Sequence, residues 1–145
     1  MVQEAVFLDT NIIMYAAGTS HPCKTPCVQI LADVEAEKLR GAMNTEVLQE
    51  LLYRYHYLQL AEKGLQLCRT ILKFPLTILP VAEPDIHLAM EYYAVFGLQG
   101  LHPRDAIHAA TMKNHGIKRL ISADCAFDLL GFLERIDPLN YTSIR

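Results

Sequence analysis

The sequence lacks three features that would assign it at once to a functional class. No apolar run approaches the ~20 residues of a membrane-spanning helix, and Glu4 and Asp9 interrupt the amino terminus before a signal-peptide hydrophobic region forms. The four cysteines do not form the pattern of a secreted disulfide scaffold. Basic residues are not in excess, since 13 Lys and Arg stand against 16 Asp and Glu. These absences predict a cytoplasmic protein without the basic stripe of a duplex nucleic-acid reader.

The sequence does contain the material for one packed domain. Its length of 145 residues, of which 52% are apolar, predicts a single domain over residues 1–145. Short strand-like apolar runs alternate along the chain with segments of helical periodicity, which is typical of a three-layer α/β/α domain around a mostly parallel sheet. We predict strands at residues 5–8, 42–43, 76–81, 119–122 and 134–136, and helices at residues 10–17, 22–34, 45–57, 61–74, 83–96 and 103–115.

Two acidic residues follow predicted strands. Asp9 comes directly after the run at residues 5–8, and Asp124 follows the run at residues 119–122 after a single alanine. Sites in open parallel sheets form beyond the carboxyl ends of the strands, so both acids are candidate site residues. Each acid is also suited to cap the helix that follows it, and taken singly the two interpretations are equally good.

A third acid, Asp105, lies near the start of a predicted helix. Pro103 suits the first position of this helix, so Asp105 falls in the first turn, where the helix dipole stabilises a carboxylate. It borders a face of small apolar residues that also carries His108. We expect the carboxylate to point into a crevice, and we expect His108 to be an interior histidine with satisfied hydrogen bonds.

The helix predicted at residues 45–57 offers two more acids. At about 100° per residue, Glu50 lies about 130° from the centre of the apolar stripe and Glu46 lies about 170° from it. Glu50 therefore flanks the buried face, whereas Glu46 is expected to point outward. The competing interpretation of Glu50 is an exposed ion pair with Arg54 one turn further on.

Four acids from separate segments are predicted to meet in one pocket at the carboxyl edge of the sheet: Asp9, Glu50, Asp105 and Asp124. Like charges disfavour ionisation, so protons or cations must compensate these carboxylates. Hard divalent ions such as Mg²⁺ or Mn²⁺ prefer oxygen ligands. Such an ion activates bound water and stabilises charge on a phosphodiester, so the pattern predicts metal-assisted phosphodiester hydrolysis.

Four segments carry these acids in order: FLDTNII at residues 7–13, VLQELL at 47–52, RDAIHAA at 104–110 and LISADCAFD at 120–128. The ordered set resembles the motifs of the PIN-domain nucleases, and within them the VapC-type toxins of prokaryotic toxin–antitoxin pairs. Each motif alone is weak, but together they cover nearly the whole chain. Cys125 is a departure, because the family more often has a polar or charged residue after the last acid.

The resemblance implies a Mg²⁺- or Mn²⁺-dependent endoribonuclease that cleaves RNA, forms a homodimer and is inhibited by a protein antitoxin. It implies that the four acids hold the metal, directly or through water. Thr10, Asn11 and Ser122 are implied as supporting hydrogen-bonding residues, although Ser122 also suits a simple turn at the end of a strand. Arg104 suits either a contact with an RNA phosphate or a structural pair with an acid.

Other interpretations of the acids belong to different functional classes. A non-catalytic PIN-like domain whose acidic pocket docks a basic partner segment is the main alternative. A phosphatase with Asp9 as nucleophile is disfavoured, because Asn11 stands where that chemistry usually needs a second acid. A phospho-acceptor receiver domain would leave Glu50 and Asp105 unexplained.

Three further clusters are expected to be structural. His21, Cys23 and Cys27 lack the ligand spacing of common zinc sites. The alternate tyrosines within residues 53–57 do not share a helix face, so they are expected to divide between core and surface rather than to stack jointly on RNA bases. The basic residues within 113–119 precede a strand and are expected at the opposite edge of the sheet.

Overall fold

Five strands form one sheet in the computed structural model, which describes residues 3–143. The strands are β1 (Val6–Leu8), β2 (Gly41–Asn44), β3 (Thr77–Leu79), β4 (Arg119–Ile121) and β5 (Glu134–Ile136). They lie in the order β3, β2, β1, β4, β5, and neighbouring strands run parallel throughout. The predicted α/β fold with a mostly parallel sheet is confirmed. The predicted domain also includes residues 1–2 and 144–145, which lie outside the described residues.

Six α-helices connect the first four strands within the same residues. They are α1 (Thr10–Ala17), α2 (Lys24–Glu35), α3 (Thr45–Tyr57), α4 (Ala61–Ile71), α5 (Glu83–Phe96) and α6 (Pro103–Asn114). The helices pack in consecutive pairs, α1 with α2, α3 with α4, and α5 with α6. The chain runs outward from β1 to β3 through the first four helices and crosses back to β4 through the last two. Because such crossovers are right-handed, the two groups of helices cover opposite faces of the sheet.

The centre of the sheet is buried because its strands are apolar on both faces. Val6, Phe7 and Leu8 of β1 are at most 4% exposed, and Leu120 and Ile121 of β4 are buried to the same degree. Strands that are covered by helices on both faces have this continuous apolar character. The burial fixes the positions of β1 and β4, and hence of the residues that follow them.

Two predicted helix boundaries differ from the structure by two or more residues. The second helix begins at Lys24 rather than Pro22, because the backbone N–H of Lys24 first closes a turn onto the carbonyl of His21. The fourth helix ends at Ile71 rather than residue 74. Phe74 donates to the carbonyl of Ile71 three residues back, so the chain tightens into a turn before the following proline.

The clusters expected to be structural divide between core and surface. Of the four cysteines, all free thiols, only Cys125 is exposed. Tyr55 lies in the core, whereas Tyr53 and Tyr57 are exposed, as predicted. His21 Nδ1 accepts a hydrogen bond from the backbone N–H of Cys23 at 3.0 Å. Across residues 3–143, none of the helices combines the length and the apolar character needed to cross a membrane.

Candidate active site

The carboxyl ends of β1 and β4 lie side by side where the strand order reverses. Leu8 pairs with Ile121, and the chain leaves β1 towards β2 on one side, while β4 lies on the other. Ligand sites of open α/β sheets form at such a switch point. Asp9 and Ser122 are the residues that follow the two strands, so the topology itself brings them together.

Asp9 is held by three hydrogen bonds. The backbone N–H of Thr10 donates to Asp9 Oδ1 at 2.7 Å, and the Ser122 hydroxyl donates to Oδ2 at 2.6 Å. Asn11 Nδ2 donates to Oδ2 at 3.3 Å. Burial raises the pKa of Asp9, and the nearby His108 and the Ser122 hydrogen bond offset only part of this rise. Asp9 therefore caps α1 and also presents a buried carboxyl group at the switch point.

Glu50 projects from α3 towards the same point. The Thr10 hydroxyl donates to Glu50 Oε1 at 2.8 Å. Glu50 Oε2 lies 3.7 Å from a guanidinium nitrogen of Arg54 and 3.7 Å from one of Arg104. Burial raises the pKa of Glu50, but His108, Thr10 and Arg104 together outweigh burial and hold the pKa below its ordinary value. The ion pair with Arg54 thus exists, but it involves a buried carboxylate rather than an exposed one.

The prediction that Glu46 points outward is wrong. Glu46 is half-buried, and the charges that act on it include those of His108 and Arg104 from α6. Burial raises the pKa of Glu46, and the charge of Glu50 acts in the same direction against the opposing effects of His108 and Arg104. The apolar stripe of α3 alone does not reveal this burial.

Asp105 and Asp124 complete the acidic group. Burial raises the pKa of Asp105 to about 9, and the negative charges of Asp9, Asp124 and Glu50 add to the rise. The backbone N–H of Asp124 donates to Ser122 Oγ at 3.0 Å, and Asp124 Oδ1 accepts from a backbone N–H two residues further on at 2.9 Å. Asp124 therefore caps the following turn and also lies beside Asp105.

Most of the predicted site residues line one pocket of about 310 Å³. Its lining consists of Asp9, Asn11, Met14, Tyr15, Glu50, Arg54, His102, Arg104, Asp105 and Asp124. Thr10 and Ser122 are buried directly behind this lining and hydrogen-bond to its acids. The structure thus places every predicted site residue in the pocket or against a carboxylate that lines it.

Two buried polar residues behind the acids, His108 and Asn44, were not predicted as part of the site. His108 Nδ1 lies 3.2 Å from Asn44 Oδ1, whereas Nε2 has no hydrogen-bond partner among the described residues. Nε2 lies 3.5 Å from Glu50 Oε1 and 3.7 Å from Asp9 Oδ1. The expectation of a fully satisfied histidine is therefore wrong at this atom. The available signal was the position of His108 one helical turn after Asp105 on the same helix face.

The donor set fits a divalent cation. Asp9, Glu50 and His108 each offer one ligand atom, and these three atoms lie within 4.8 Å of one another. Burial is the main cause of the raised pKa of Asp105, and a cation would relieve the smaller contribution that comes from the neighbouring carboxylates. Carboxylate oxygens are the ligands that Mg²⁺ and Mn²⁺ prefer.

The sequence and the fold match known proteins over most of the chain. The family model for the PIN domain matches residues 6–133. Ribonuclease VapC13 of Mycobacterium tuberculosis is 33% identical over 131 residues, which cover 90% of this chain and 98% of that protein. The match extends over all four acidic segments, because they fall within the residues of the family model.

Solved structures of other proteins have a similar fold. VapC20 of Mycobacterium tuberculosis, described as a sarcin-ricin loop cleaving toxin, aligns with a TM-score of 0.75 at 16% identity over 88% of this chain and 96% of that one. VapBC2 of Rickettsia felis, solved with a DNA fragment from its promoter, aligns with a TM-score of 0.67 at 19% identity over 91% and 97%. The chain belongs to the PIN domain family, and its relatives there are VapC ribonucleases.

Proposed function

We propose that this protein is a metal-dependent endoribonuclease that hydrolyses RNA phosphodiester bonds and acts as the toxin of a VapBC-type pair in the cytoplasm. The observation that carries the proposal is the convergence of four carboxylates on one pocket at the switch point of the sheet. The names of the relatives, which are ribonucleases, support RNA as the substrate.

The four acids are assigned to a Mg²⁺ or Mn²⁺ ion, which they hold directly or through water: Asp9, Glu50, Asp105 and Asp124. When bound, the ion supplies an activated water and stabilises negative charge on the scissile phosphate. The supporting residues orient the acids before the ion arrives. Thr10 fixes Glu50 through its hydroxyl, and Ser122 and Asn11 fix Asp9.

Asp105 is proposed to release a proton when the cation binds. With a pKa of about 9, its carboxyl group holds a proton at neutral pH in the metal-free protein. Ligation requires the ionised form, so uptake of a cation releases this proton. We therefore expect metal affinity to rise with pH through the neutral range.

Arg104 is positioned to contact the substrate. Its guanidinium group lies over the ring of Tyr53, 5.5 Å from the ring centroid, and 3.7 Å from Glu50 Oε2. The side chain is still 37% exposed at the pocket, so N–H groups remain free for a phosphate oxygen. The proposal therefore gives Arg104 both roles, the pair with Glu50 and a contact with an RNA phosphate.

The proposed partners are a second copy of the chain and a protein antitoxin. Support comes from the VapC names of the relatives and from the VapBC assembly of Rickettsia felis, which has the same fold. An antitoxin of this kind would be encoded in an adjacent reading frame as a short DNA-binding protein.

Metal removal tests the proposed activity. Purified protein is incubated with single-stranded RNA and Mg²⁺ or Mn²⁺, and we expect discrete products that EDTA prevents and added metal restores. Asp9→Asn protein that is purified in parallel controls for contaminating nucleases. Undiminished cleavage by the metal-stripped protein would contradict the proposal, and absence of products with either metal would favour the non-catalytic docking domain.

A further inference from the structure

Asn44 determines which nitrogen of His108 carries a hydrogen. Asn44 Oδ1 accepts the backbone N–H of Val47 at 3.1 Å, and Asn44 Nδ2 donates to the Thr111 hydroxyl at 3.2 Å. These two bonds set the orientation of the amide, with its oxygen 3.2 Å from His108 Nδ1. An amide oxygen only accepts hydrogen bonds, so Nδ1 carries a hydrogen, and in the neutral ring this leaves Nε2 without one.

The other ring nitrogen, Nε2, then presents a lone pair to two further acceptors. Its nearest polar atoms are Glu50 Oε1 at 3.5 Å and Asp9 Oδ1 at 3.7 Å, which are too distant for good hydrogen bonds. The residue is 0% exposed, and nothing in the described part of the chain satisfies Nε2. A buried lone pair that faces two carboxylates is unfavourable unless a cation lies between them.

We propose that His108 Nε2 is a ligand of the divalent cation together with Asp9 and Glu50, so that the site has mixed nitrogen and oxygen ligands. The mutual distances of the three ligand atoms, all within 4.8 Å, suit a shared ion. Asn44 is the positioning residue. Metal-bound histidines nearly always donate their second N–H to such an acceptor, which fixes the tautomer and the ring orientation. The Phe7 ring packs beside the imidazole at 5.4 Å between centroids.

The assignment rests on the proposed metal-dependent function and adds a selectivity to it. Imidazole nitrogen contributes more to the binding of transition-metal ions than to the binding of Mg²⁺, which prefers oxygen. His108 therefore biases the site towards Mn²⁺. Replacing His108 should weaken Mn²⁺ binding more than Mg²⁺ binding, whereas a purely structural histidine would affect both ions alike.

Pulsed electron paramagnetic resonance of the full-length protein loaded with Mn²⁺ tests this ligand directly. An imidazole nitrogen bound to Mn²⁺ modulates the electron spin echo at nitrogen-14 frequencies, and we expect this modulation in the unaltered protein. It should disappear in His108→Gln and persist in His102→Gln, which changes a histidine that lines the pocket. Bound Mn²⁺ without nitrogen modulation, or modulation that persists in His108→Gln, would overturn the assignment.

Calorimetric titration gives a second measurement on the same proteins. We expect His108→Gln to weaken Mn²⁺ binding by more than ~10-fold and Mg²⁺ binding by clearly less. Equal weakening of both ions would overturn the assignment. Measurements on the unaltered protein distinguish the proposed metal-dependent function from the proposed ligation by His108. Failure to bind Mn²⁺ at all would contradict the metal-dependent function. Bound Mn²⁺ that has only oxygen ligands, while Nε2 carries a proton, would contradict the ligation by His108 alone.

Discussion

The two edges of the sheet both carry a cavity, and the larger cavity is not the candidate active site. The amino edge has a cavity of about 530 Å³, against about 310 Å³ at the carboxyl edge. The polar residues that line the amino-edge cavity, such as Glu4, Arg40 and Lys118, are exposed. At the carboxyl edge, Asp9 and Glu50 are buried and hydrogen-bonded. Convergence of acids, rather than cavity volume, distinguishes the carboxyl edge, where the candidate active site lies.

The difference between the edges follows from the parallel sheet. Helices α1 and α3 begin directly beyond the carboxyl ends of β1 and β2, at Thr10 and Thr45. The positive ends of helix dipoles favour carboxylates at this edge, although burial still raises the pKa of Asp9 and Asp105. The amino edge receives the last turn of α6, where Lys113 lies. The backbone arrangement therefore favours acids at the carboxyl edge, although Arg54 and Arg104 also lie there and Glu4 lies at the amino edge.

Replacing an acid at each edge should give the largest contrast. Asp9→Asn removes the charge of a proposed metal ligand, and we expect RNA cleavage to fall by at least ~10³-fold, since metal ions contribute several kcal/mol to such reactions. Glu4→Gln makes the same chemical change at the amino-edge cavity and should leave the cleavage rate unchanged. Equal rates for the two variants, both folded by circular dichroism, would remove the distinction between the edges.

Replacing a supporting hydroxyl should have an intermediate effect. Thr10→Val keeps the shape of the side chain but removes the donor to Glu50 Oε1. We expect metal affinity to fall by ~10–100-fold, as is usual when a residue that orients a ligand is lost. Thr70→Val is the control, because it removes a hydroxyl that donates to the Gln66 carbonyl on the exposed side of α4. It should leave metal affinity unchanged in the same calorimetric titration. Unchanged affinity in Thr10→Val would mean that Glu50 needs no such support.

Replacing a basic residue at each edge should have the smallest effect on cleavage and a specific effect on salt dependence. Each phosphate contact with single-stranded nucleic acid contributes about 0.7 to the slope of log affinity against log salt. Arg104→Ala should reduce this slope by ~0.7 in RNA-binding titrations with metal present. Lys118→Ala at the amino edge should leave the slope unchanged. A reduced slope in Lys118→Ala would mean that RNA contacts the amino edge, which contradicts the proposed site.

Local sequence patterns predict the carboxyl edge well where strand ends or strong periodicity decide the position. Asp9 and Asp124 follow short apolar strands, and the stripe of α3 separates the buried Glu50 from its neighbours. Such residues owe their positions to the element that carries them. The order of these segments along the chain then suffices to identify the fold.

Contacts between distant elements are what the sequence does not predict. Asn44 and His108 are 64 positions apart, and their hydrogen bond depends on how α6 packs over the end of β2. Glu46 is a second example, because two residues of α6, His108 and Arg104, affect its pKa. Periodicity describes one element at a time, so it cannot show which polar atoms a second element leaves without a partner.

The raised pKa of Asp105 gives the metal-free fold a distinctive pH dependence. In the unfolded chain an aspartate titrates near ~3.9, whereas in the folded protein the pKa of Asp105 is about 9. Between these values the folded state holds a proton that the unfolded state has lost, so the free energy of unfolding falls as pH rises. The raised pKa of Asp9 acts in the same direction. The lowered pKa of Glu50 acts in the opposite direction: it stabilises the fold at neutral pH, and this contribution is lost as pH falls into the acidic range.

The free energy of unfolding of Asp105→Asn, with and without metal, tests most directly whether these acids form a cation site. Without metal, above neutral pH, the variant should be more stable than the unaltered protein, because the amide relieves charge crowding. With saturating Mn²⁺ the order should reverse, because the unaltered protein binds the ion more tightly. Asp128→Asn, which changes an exposed acid paired with Arg135, should show no reversal. Urea unfolding that ranks Asp105→Asn and the unaltered protein in the same order under both conditions would contradict the account.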